Sequence, residues 1–113
     1  MTPAMFHIAL ALADGPRHGY ALMHEVELLS AGAMHLGPGT LYRSLQRMRV
    51  DSLIEDSPDD ETSGDERRRK YRLTASGRAT LRVEAQQLAA LVAVAVQRGI
   101  VHPSADPSTG AAR

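Results

Sequence analysis

Between Gly37 and Met48 the sequence reads Gly-Pro-Gly-Thr-Leu-Tyr-Arg-Ser-Leu-Gln-Arg-Met, and further along runs Arg67-Arg68-Arg69-Lys70-Tyr71. After the glycine–proline break, Leu41, Leu45 and Met48 recur at helical spacing. A short helix is therefore predicted, packed on one side and carrying Gly39, Arg43, Gln46 and Arg47 on the other, with Thr40 at its edge. These residue types suit the grooves of duplex DNA. Arginine forks onto guanine or phosphate, glutamine pairs with adenine at two points, and a threonine methyl can touch thymine. A small residue such as Gly39 at the helix start permits close approach. The same pattern also describes a solvated amphipathic helix.

Tyr42 falls between the packed and open sides. It is either a core ring with a satisfied hydroxyl or a phosphate ligand, and a packed ring with its hydroxyl toward DNA serves both. Arg67, Arg68, Arg69 and Lys70 either offset the acidic stretch from Asp59 to Glu66 or contact phosphate. Their place after the candidate helix favours phosphate.

Several elements must position these residues. Thr2-Pro3 is an N-cap followed by proline at the first helical position, so a first helix is predicted to about Ala13. Asp14-Gly15-Pro16 supplies turn chemistry, and a second helix runs from His18 to Ser30. Within it, Tyr20 is expected to anchor that helix against the recognition helix or wing. A connector from Ala31 to Pro38 leads to the recognition helix, Gly39 to Ser52. Leu53 to Asp56 reads as a short strand, Pro58 to Glu66 as a polar, turn-rich tip, and Arg68 to Leu73 as a second strand with Tyr71 and Leu73 on one face. Thr74 is an N-cap for the longest helix, Ala75 to Arg98, which Gly99 ends.

In that last helix Leu81, Ala85, Leu88, Val92 and Ala95 repeat at alternating steps of four and three, the spacing of a helix-pairing seam, and Leu91 broadens the stripe. Packing on the chain's own core is the simpler use. So apolar a helix at the end of so small a domain also suits a second subunit. The boundaries follow: 1–74 a DNA-binding unit, 75–101 a dimerisation helix, 102–113 a disordered tail. The fold class is mostly α (α+β): a winged helix-turn-helix with a two-stranded β-wing.

Composition narrows the function. A chain of 113 residues holds one core and no separate catalytic module. With no cysteine, disulfides, thiolate metal sites and cysteine nucleophiles are excluded. The formal net charge is zero, which argues against a generally basic nucleic-acid coat and makes the placement of charge decisive. No apolar run looks long enough to span a bilayer and no secretory signal is evident, so a cytoplasmic protein is expected. The five histidines form no helical pair; His18, His24 and His35, with Glu25, could converge on a metal only through the fold. No cofactor and no enzymatic activity are expected. A pocket between the last helices and the first helices of the dimer, lined by Phe6, Leu10, Leu88, Leu91 and Val92, would let the chain act instead as a sensor of a small molecule or a protein partner.

Asp14-Gly15-Pro16-Arg17-His18-Gly19-Tyr20, Gly37-Pro38-Gly39-Thr40-Leu41-Tyr42 with Leu45 and Met48, Leu53-Ile54, and Arg69-Lys70-Tyr71-Arg72-Leu73-Thr74 with Gly77 together resemble the PadR family, transcriptional regulators of the phenolic-acid-decarboxylase type. The likeness extends in order from Phe6 to about Leu81 and suggests the small subgroup with one dimerisation helix. It implies a homodimer, usually a repressor, that binds an inverted-repeat operator and releases it for an effector. By position Thr40, Tyr42 and Arg43 match the DNA-facing start of the family's recognition helix, and Arg67 to Lys70 its wing. Arg49 stands where glutamate is common and could pair with Asp51, Glu55 or another local acid. Ser52 replaces a usual glycine, which argues against a left-handed backbone at that turn.

Overall fold

The computed structural model describes residues 1–57 and 69–102. Helix α1 spans Pro3–Ala11, and the Thr2 hydroxyl accepts a hydrogen bond from the Met5 amide at 3.1 Å, so cap and proline act together at its start. A two-residue strand β1, Arg17–His18, leads into α2, Gly19–Leu29. Helix α3 spans Pro38–Val50, strand β2 Ile54–Asp56, strand β3 Lys70–Leu73 and helix α4 Ala75–Gln97.

The sheet has three strands in the order β1-β3-β2, both pairings antiparallel. The expected hairpin is therefore present, with a further strand on its outer edge. Arg17 faces Tyr71 and His18 faces Lys70 in that added pairing. Two residues cannot display alternation, so β1 had no local signal. It is held by tertiary bonds. The Gly19 amide donates to the Arg69 carbonyl at 3.0 Å, and Arg17 Nε donates to the Ala11 carbonyl at 2.8 Å while its guanidinium reaches Asp14 and Glu25.

The core gathers Met5, Ile8, Ala9 and Leu12 from the first helix and its cap, Leu22 and Val26 from α2, Leu41, Leu45 and Met48 from α3, and Ile54, Tyr71 and Leu81 from the remaining elements. The three apolar residues that define α3 are all fully buried, as their spacing predicts. Tyr71 too is fully buried, whereas Leu73 is only partly so.

Helix α3 ends in a paired turn. The Leu53 amide donates to the Met48 carbonyl at 2.8 Å and the Ser52 amide to the Arg49 carbonyl at 3.0 Å, with Ser52 at φ 60. The left-handed conformation argued against from serine is thus adopted. Its cause lies elsewhere in the chain, because the hydroxyls of Thr74 and Ser76 both donate to the Ser52 carbonyl. The Thr74 amide also donates to the Leu53 carbonyl at 3.1 Å, and a Cβ on Gly77 would overlap that carbonyl oxygen. The start of α4 is therefore fastened to the end of α3.

Beyond Leu81, helix α4 leaves the core, and Val83, Leu88, Leu91 and Val92 are exposed. Its 23 residues include a window of mean hydropathy 1.3, enough by length and composition to cross a membrane. The expectation that no run is long enough is corrected on that count. The acidic tip from Pro58 to Glu66 and nearly all of the tail expected to be disordered lie outside the described residues.

Candidate nucleic-acid interface

Helix α3 presents the side that the sequence singled out. Gly39, Tyr42, Arg43, Gln46, Arg47 and Val50 line one shallow open groove along it. Val50, 70% exposed, was not among the expected residues, although it continues the spacing of Gly39, Arg43 and Gln46. A valine offers no hydrogen-bonding group, so its type carries no signal for base or phosphate contact. Thr40 lies exposed in the first turn, and Arg43 Nη2 is 3.4 Å from its hydroxyl. A Cβ on Gly39 would lie 3.2 Å from Arg43 Nη1, so the missing side chain lets the guanidinium lie over the helix start.

The cations here are not equivalent. Arg47 Nε donates to Asp51 Oδ2 at 3.0 Å, one helical turn on. Asp56 lies 3.8 Å from both Arg49 and Arg69, linking α3 to the base of the wing. Arg72 Nε donates to Glu55 Oε2 at 2.8 Å across the β2–β3 pair. Among the described residues no carboxylate pairs with Arg43. The acid open as partner for Arg49 is therefore Asp56, since Asp51 turns to Arg47 and Glu55 to Arg72.

Arg69 and Lys70 are half-buried where β3 begins, whereas Arg67 and Arg68 lie outside the described residues. The ring of Tyr42 packs partly on the core, and its hydroxyl oxygen is buried. The same tyrosine lines the groove beside Gly39 and Arg43, so it borders both the core and the open side of α3. Tyr20 departs from its expected place. It is 54% exposed and stacks on His18, ring centroids 5.7 Å apart and planes 21° from parallel, instead of anchoring α2.

Convergence of His18, His24 and His35 with Glu25 is not seen. Glu25 faces Arg17, His35 lies 3.4 Å from Glu27, and no group of three or more potential metal ligands occurs among the described residues. Leu81, the first residue of the proposed dimer seam, is buried in the chain's own core, being one turn too early to leave it. Leu88, Leu91 and Val92 are exposed, and Ala85 and Ala95 half-exposed. Of the five residues expected to line a pocket, Phe6 and Leu88 meet in a hollow between α1 and α4, with Met1, Pro3, His7 and Glu84. Leu10, Leu91 and Val92 lie outside this hollow of the single chain, whereas the expected pocket lies between the helices of a dimer.

The sequence profile of the transcriptional regulator PadR-like family matches residues 8–83. The chain belongs to this family. The PadR-like span runs from the last turn of α1 through the first turns of α4, including all of α3 and both wing strands. An uncharacterised 37.1 kDa protein in transposon TN4556 of Streptomyces fradiae is 40% identical over 88 residues, which are 78% of this chain and 24% of that protein. The chain thus spans about a quarter of that relative's length. A PadR family transcription regulator from Clostridium difficile R20291 superposes with a TM-score of 0.67 at 26% identity, over 83% of this chain and 95% of that one. Bacillus subtilis PadR, solved in complex with operator DNA, superposes with a TM-score of 0.61 at 17% identity, over 88% of this chain and 63% of that one.

Proposed function

We propose that this PadR-like chain is a sequence-specific DNA-binding regulator. The carrying observation is the exposed Gly39–Arg43–Gln46–Arg47 side of α3, lying beside the cationic base of a β-wing. In the proposed complex α3 enters the major groove, Arg43 and Gln46 meet base edges, and Arg67, Arg68, Arg69 and Lys70 lie along the flanking backbone. The operator-bound structure of Bacillus subtilis PadR supports this reading.

The protein acts as a homodimer and as a repressor, on an inverted repeat whose half-sites lie about 34 Å apart, one turn of duplex. The exposed Leu88, Leu91 and Val92 support self-pairing through α4, and that pairing, with the alternating four–three spacing and the polar pair Gln86-Gln87, accounts for the helix better than a membrane does. An effector docks in the hollow between α1 and α4. The protein works in the cytoplasm, without cofactor or catalysis.

Fluorescence anisotropy on the chain's own upstream intergenic DNA, against scrambled DNA at about 0.15 M salt, tests the reading. Selective binding by a dimer is expected. Equal weak binding to intergenic and scrambled DNA, together with failure to enrich any sequence from a random duplex pool, would overturn it and leave the sensor module that needs no operator.

A further inference from the structure

Arg47 and Asp51 form the one ion pair that lies wholly within α3 and its cap, and its geometry is specific. The carboxylate takes Nε of the guanidinium, 3.0 Å away, while Arg47 remains 70% exposed at its side chain. A guanidinium offers two forked edges. One pairs Nε with a terminal nitrogen, the other pairs the two terminal nitrogens. With Nε occupied, the edge left for a ligand is the Nη1–Nη2 pair, whose spacing matches two acceptors such as O6 and N7 of guanine.

An arginine without such a brace carries several freely rotating torsions, and ordering them on binding costs entropy. Arg47 has that ordering supplied by the helix, because Asp51 sits one turn away at the C-cap. Asp51 gains little stability for the fold there. A carboxylate at a helix C-terminus opposes the helix dipole, and an exposed pair contributes little. A further consequence concerns arbitrary DNA, where binding depends on phosphates alone. There the Asp51 carboxylate repels the backbone and partly cancels Arg47.

We propose that Asp51 is a positioning residue for sequence recognition: it presents the Nη1–Nη2 edge of Arg47 to a guanine in each half-site and weakens attraction to DNA of any other sequence. This deepens the DNA-binding reading and rests on it.

The test is site selection from a random duplex pool by the full-length chain, followed by affinities for the selected site, its single-base variants and random DNA. The set comprises wild type, Asp51→Asn, Arg47→Ala and the double variant. Asn is isosteric and removes a charge that opposes the dipole, so thermal melting is expected to be unchanged or raised. Discrimination for guanine at one position per half-site should fall about tenfold in Asp51→Asn, at the same position that Arg47→Ala relaxes, with other positions kept. Affinity for random DNA should rise a few-fold, on the order of that expected from deleting one carboxylate near phosphate. In the Arg47→Ala background Asp51→Asn should relax no position further.

Three results would overturn the inference while leaving the regulator reading intact: unchanged discrimination in Asp51→Asn, an equal loss at every base, which marks a phosphate contact, or a full effect of Asp51→Asn in the absence of Arg47. A wild-type chain that selects no sequence would overturn both.

Discussion

Arg43 and Arg69 carry the same charge, yet their surroundings separate what each can do. Arg43 lies over the first turn of α3 with no acid partner among the described residues, whereas Arg69 is half-buried at the wing base, 3.8 Å from Asp56. Arg43→Ala should lower the operator-to-random affinity ratio by about 1–3 kcal/mol, as for a base-edge contact. Arg69→Ala should weaken both DNAs alike and reduce the salt slope by about 1, as for a phosphate contact. Anisotropy titrations at several salt concentrations read both, and equal behaviour of the two variants would contradict the division. Gly77 acts on the fold instead. Since a Cβ there overlaps the Leu53 carbonyl oxygen, Gly77→Ala should destabilise by at least about 2 kcal/mol in urea unfolding. The exposed placement of Arg43 and Gln46 was legible because residue type and helical spacing agreed. Tyr20 was misread, since its ring could turn either way. Nothing local to Tyr20 or Tyr42 says which of the two is stacked at the surface and which has its oxygen inside.

At the level of elements, the helices and the β2–β3 pair were legible because apolar spacing, caps and turn residues pointed the same way. Strand β1 was not, since it exists only through pairing with β3, far along the chain. The end of α3 illustrates the same limit. Serine at position 52 locally disfavours φ 60, but two hydroxyls from the start of α4 draw its carbonyl into place. Helix α2 ends alike, with Ala31 at φ 53, the Ala31 amide bonded to Leu28 and the Gly32 amide to Glu27. Both positions carry a side chain where glycine is at ease. Ala31→Gly and Ser52→Gly should each raise stability by about 0.5–1 kcal/mol, the left-handed strain relieved less the entropy that glycine loses on folding. Thermal melting checks this, and a lowered midpoint would show that the strain is already relaxed.

At the scale of the whole molecule, the chain measures 50 × 26 × 24 Å, long in one direction. The apolar half of α4 lacks cover over Leu88, Leu91 and Val92. Leu88→Lys with Leu91→Lys should leave the fold of 1–74 intact, shift sedimentation equilibrium to monomer and weaken operator binding at least tenfold, because two linked half-site contacts become independent. A dimer that survives both changes would mean that self-pairing lies elsewhere. The exposed apolar stripe of α4 was legible from its spacing, but the first residue of that stripe, Leu81, belongs to the core, since sequence periodicity does not reveal where a helix leaves its own domain. Thr74 closes β3, caps α4 and grips the α3 turn, so the joint between reading head and arm contains no slack. In the proposed dimer α4 is then a caliper leg: over its length of about 34 Å, a swing of about 5° at the seam displaces each reading head by roughly 3 Å. Such a displacement approaches the rise of one base pair, so the hinge angle of the pair, rather than any contact with bases, sets which operator spacings both heads can engage together.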